Sequence, residues 1–110
     1  MNGYVESRLL TDFRMNPGTD GILIRPVDGE SATLIKTSQW ELEDMYKYVG
    51  RPIEVARIGS GHFRGFILIV NENGKLEDMP YNRTATRIAS FNNDDYVAGA
   101  ALLVPPGTII

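Results

Sequence analysis

The sequence predicts an α+β domain: a single, mainly antiparallel sheet with two short helices packed largely on one face. Three observations carry this expectation. Short β-branched and apolar runs alternate with turn residues, only two segments show helical spacing or capping, and along 110 residues they follow the order β-β-α-β-β-(β)-α-β. A chain of this length builds one core, not two.

Residues 1–20 mix Val5, Leu9, Leu10 and Phe13 with charges and stop at Asn16-Pro17-Gly18. They read as an N-terminal arm or extra strand ending in a turn, ahead of a single domain over 21–110. Gly21 to Arg25 and Ser31 to Lys36 flank Pro26-Val27-Asp28-Gly29 and read as a hairpin. The first helix has two boundary signals: Ser38 stands three residues before Glu41 as a capping box, and Gly50 with Pro52 marks the stop. Within it Leu42, Met45, Tyr46 and Val49 form one apolar stripe aimed at the sheet. Trp40 is expected to close the first turn against that sheet.

Pro52 to Ile58 and Phe63 to Val70 read as strands joined through Gly59-Ser60-Gly61-His62, and the uninterrupted run Phe66 to Val70 marks a central strand. Asn71-Glu72-Asn73-Gly74 supplies turn chemistry, with positive φ expected at Asn73-Gly74 and a short returning strand at Lys75 to Asp78. Asn82 caps a second short helix over Arg83 to Ile88. A polar loop at Asn92 to Asp95 leads into a last strand, Tyr96 to Val104.

Composition narrows function. With 43% hydrophobic and 23% charged residues the chain is globular, and a formal charge of −3 argues against broad nucleic-acid binding. No cysteine is present, so thiolate catalysis, disulfides and thiolate metal sites are excluded. No run approaches the roughly 20 apolar residues of a membrane span, so no membrane partner is expected. The single His62 lies in a Gly-rich turn without a Ser or Asp constellation, and no catalytic residue is assigned. Glycines 59, 61 and 65 lead into a strand, and Gly74-Lys75 lacks both the preceding glycine and the hydroxyl residue of a phosphate loop. Glu41, Glu43, Asp44, Asp94 and Asp95 have no calcium-loop spacing. The expectation is therefore a non-enzyme without metal or cofactor.

The strings Asn71-x-x-Gly74-Lys75-Leu76, Pro80-x-Asn82-Arg83-x-Ala85-Thr86 and Tyr96-Val97-Ala98-Gly99 resemble the uncharacterised family catalogued as domain of unknown function 3846. Leu23-Ile24-Arg25-Pro26 and Val49-Gly50-x-Pro52-Ile53-Glu54 extend the resemblance over roughly residues 21 to 105. It implies an origin in a bacteriophage or mobile element, and hence the host cytoplasm as the place of action. Small accessory proteins of such elements often work by binding host components.

The chemistry most suited to binding concentrates between Pro80 and Arg87. Asn82, Arg83, Thr86 and Arg87 bring amide, guanidinium and hydroxyl groups to a helix start, with Asn71 at the preceding turn and Tyr81 as an aromatic plane. Such a set suits a small anionic, nucleotide-like ligand, sequestered stoichiometrically as an act of counter-defence. The alternative is a protein inhibitor of a host defence or replication factor, with Trp40 as a candidate anchor. A homo-oligomer is expected from the continuous apolar surface of Phe66 to Val70 and Ala98 to Val104.

Overall fold

The computed structural model describes residues 15–26, 32–91 and 94–108. The fold is α+β with one antiparallel sheet. Five strands, β1 (Asp20–Ile24), β2 (Ala32–Lys36), β3 (Ile53–Arg57), β4 (Ile67–Asn71) and β5 (Ala101–Val104), lie in the order β2-β1-β5-β4-β3. Helix α1 (Leu42–Val49) joins β2 to β3, and α2 (Arg83–Ala89) joins β4 to β5. Most of the expected arm (1–14), the first hairpin's turn (27–31) and Asn92-Asn93 fall outside the described residues.

Strand periodicity divides the core in two. Residues directly opposite each other in an antiparallel ladder share a face, and Ile22 faces Leu103 while Leu103 faces Leu68. These three join Ile24, Ala101 and the α2 residues Ala85 and Ile88 in one cluster. Ile67, Ile69, Leu102 and Val104 point the other way and meet Trp40, Met45 and Val49. The two helices thus cover opposite faces, which corrects the expectation that they share one. The uninterrupted apolar runs of β4 and β5 follow directly: a strand covered on both sides has no solvent face on which to place polar residues.

Helix α1 begins three residues later than expected. Glu41, not Ser38, is the N-cap, and its backbone N–H donates to the Asp44 carboxylate at 3.0 Å. The preceding residues are committed elsewhere: the N–H groups of Thr37 and Trp40 donate to the carbonyls of Thr19 and Gly18 at 2.8 and 2.7 Å. That path lays Trp40 against the sheet, 3% exposed, with its indole N–H donating to the Asp20 carbonyl at 3.0 Å. A Cβ at position 21 would lie 2.7 Å from the indole, so Gly21 makes the slot. Of the expected stripe, Met45 and Val49 are buried and Tyr46 is half-buried, whereas Leu42 is 48% exposed.

The returning strand expected at Lys75 to Asp78 is absent; residues 72–78 wind through turns instead. The sheet order explains this, because β4 already has β5 on one edge and β3 on the other. Gly74 does not use positive φ. It is required by proximity, since a Cβ there would fall 2.4 Å from the Ala98 carbonyl oxygen, while Asp78 takes the left-handed conformation at φ 58°. The strands expected at 63–70 and 96–104 are likewise shorter: Phe63 to Phe66 form a turn, and residues 95–100 run irregularly apart from a bridge between Tyr81 and Ala98.

Candidate functional site

Asn82 is the N-cap of α2, as its residue type predicts, and its Oδ1 accepts from the Ala85 N–H at 3.0 Å. Its amide nitrogen donates to the carbonyls of Ile24 and Gly99 at 3.0 and 2.9 Å. The side chain is fully buried. Thr86 Oγ1 donates to the Asn82 carbonyl at 2.7 Å and accepts from the Val97 N–H at 2.9 Å. These two side chains fasten α2 to β1 and to the segment entering β5. Their polar atoms face the protein, not solvent, so neither offers a contact to a ligand.

The other expected binding residues are scattered around this fastening. Arg83 and Arg87 lie on the exposed face of α2, one turn apart. Tyr81 is 55% exposed and packs on Tyr96 with ring centroids 5.7 Å apart. Asn71 is buried at the end of β4, where its amide donates to the Val49 carbonyl at 3.3 Å and accepts from the Asn73 N–H at 2.8 Å. The structure does not gather Asn71, Tyr81, Asn82, Arg83, Thr86 and Arg87 around one opening. His62 is exposed, and the burial of Trp40 removes it as a surface anchor.

What the structure does form is a cleft of about 390 Å³ on the α2 side of the sheet. Its floor comes from β3 and β4 through Ala56, Leu68 and Val70, and Val97 and Ala98 wall one side. Ala89, Ser90 and Phe91 at the end of α2 wall another. Helix α2 is only seven residues long, and among the described residues it leaves this end of the sheet open.

The rim is charged. Glu54, Glu72 and Asp95 supply carboxylates, while Arg57 and Lys75 supply cations. Lys75 is paired with Asp95, and its ammonium also lies 4.6 Å from the centre of the Tyr96 ring. Hydrogen bonds from Lys75 and from the Tyr96 backbone N–H hold the Asp95 carboxyl below the ordinary carboxylate range. This cluster ties the turn at 72–78 to the segment at 94–98 and makes an aromatic and ionic lip. Of the residues expected from sequence, Asn71 alone lines the cleft, and Tyr81 adjoins it through Tyr96. Glu54, Arg57, Lys75, Asp95 and Tyr96 were missed. The tight turn at Gly74 and the polar run ending in Asp95 were the available signals, but their meeting depends on where β5 inserts.

The cleft thus lies over one end of the antiparallel sheet, walled by the end of α2 and rimmed by charges of both signs. The chain belongs to the DUF3846 family, a domain of unknown function, whose model matches residues 20–108. No curated protein and no solved structure matches it.

Proposed function

We propose that the protein acts by stoichiometric binding of a small nucleotide-derived molecule in the cleft beside α2. The observation supporting this reading is the cleft itself, whose volume of about 390 Å³ falls in the roughly 300–1,000 Å³ range of small-molecule sites. An apolar floor with Phe91 and Tyr96 at its sides suits a planar base, and the carboxylates of Glu54 and Glu72 at the rim suit hydroxyl or amino donors. With the Lys75–Asp95 pair set aside, two carboxylates against one cation favour a ligand of low net charge over a polyphosphate. This moves the expected site away from the start of α2. Removal of a host signal by a phage or mobile element is the setting we propose for such a sink.

Ala56 is exposed and lies on the cleft floor, so Ala56→Trp fills the space without entering the core. Equilibrium dialysis against nucleosides, nucleoside monophosphates and cyclic nucleotides is expected to find a ligand for the wild type. The variant is expected to lose at least tenfold in affinity, about 1.4 kcal/mol or more, at an unchanged melting temperature. Wild-type protein that binds none of the panel, or a variant that binds equally well, overturns the reading.

A further inference from the structure

Strand β3 forms one edge of the sheet, and four of its five residues are exposed. Edge strands are usually blunted by charged side chains, lysine above all, by proline, a bulge or a covering segment; the charges of β3 are two of opposite sign, Glu54 and Arg57. From Ile53 to Arg57 the strand has no lysine or proline and pairs with β4 in unbroken register. Its middle residue, Val55, is 47% exposed. The opposite edge, β2, differs in ending with Lys36, whose ammonium is bonded to Asp20.

We propose that β3 pairs antiparallel with β3 of a second copy about a two-fold axis normal to the sheet, so that the two five-stranded sheets run on as one. The register follows from strand geometry. Opposed residues point to the same side, so the axis passes a residue position, and full overlap of a five-residue strand with itself centres on Val55. Val55 then faces the partner's Val55, Glu54 faces the partner's Ala56, and Ile53 packs on the aliphatic stem of the partner's Arg57. Centring on Glu54 instead opposes two carboxylates, and centring on Arg57 opposes two guanidinium groups, both unfavourable. The self-complementary register is therefore also the one with the greatest overlap. Glu54 and Ala56 line the cleft, so the partner's Ala56 and Glu54 extend its wall along β3.

The pairing needs no ligand, so its test is separate from that of the cleft. Sedimentation of the full chain across the micromolar range is expected to give twice the 12.2 kDa of one copy. Val55→Lys should return the mass to a single copy and give a melting temperature that no longer rises with protein concentration, as that of a dimer does, while the fold stays intact because the side chain is exposed in one copy. The chain has no cysteine, which makes Val55→Cys a direct probe of the axis. Opposed Cα atoms are about 4.5–5.5 Å apart, within the span of a disulfide. Mild oxidation should link Val55→Cys into a dimer and leave Thr33→Cys, exposed on the other edge, unlinked. A wild-type monomer throughout the range, or linkage at position 33 as ready as at 55, overturns the proposal.

Discussion

The two faces of this sheet are built from alternate residues of the same strands, yet one is closed and the other carries a cleft. On the α1 face, Trp40 fills the slot over Gly21, while Met45 and Val49 cover Ile67, Ile69, Leu102 and Val104. On the α2 face, Ala85 and Ile88 cover Ile22, Ile24 and Leu103, but the shorter helix stops before β3. The difference lies in coverage, not in strand composition: Leu68 and Val70 are as apolar as Ile67 and Ile69. The cleft is the part of a hydrophobic face that its helix does not reach.

The sharpest way to break the comparison is Met45→Asp. Met45 is 1% exposed on the closed face, so an unpaired carboxylate there should cost about 3–5 kcal/mol, read as a fall in the urea midpoint. The corresponding test on the other face is Asn82→Ala, which removes the cap of α2 and leaves the carbonyls of Ile24 and Gly99 without that donor. A loss of about 2–4 kcal/mol is expected, together with faster amide exchange in α2 than in α1. Equal exchange in both helices would show that the fastening does not distinguish the faces.

The smallest effect concerns Asp20, at the start of β1. The Asn16 backbone N–H at 2.9 Å and the Lys36 ammonium at 3.4 Å hold its carboxyl below the ordinary range against the opposing effect of burial. A pKa lower in the folded state gives stability that is present above the unfolded value of about 3.9 and lost as pH falls through the folded one. Asp20→Asn should therefore narrow the gap between urea midpoints measured at neutral and at acid pH. An unchanged gap would assign the acid sensitivity to other carboxylates.

Local chemistry made much of the fold legible. The run Phe66 to Val70 announced a central strand because full burial leaves no place for alternation, and Asn82 announced a helix start because its side chain caps one. Tertiary demands hid the rest. Ser38 has the capping residue type, yet the chain there is spent seating Trp40, and the cap passes to Glu41. Lys75 to Asp78 followed a plausible hairpin turn, yet both edges of β4 were already taken. The candidate site was the least legible part, since Glu54, Lys75 and Asp95 meet only after β5 has inserted between β1 and β4.

Trp40 is the one tryptophan in the sequence, which gives the molecule a built-in fluorophore with a restricted view. An indole 3% exposed and bonded to a backbone carbonyl emits at the short-wavelength end in the native state and shifts to the red when the α1 face opens. The sheet stands between it and the cleft. Its emission will follow unfolding faithfully and stay nearly silent when the cleft fills, so occupancy has to be read from the tyrosines at the lip.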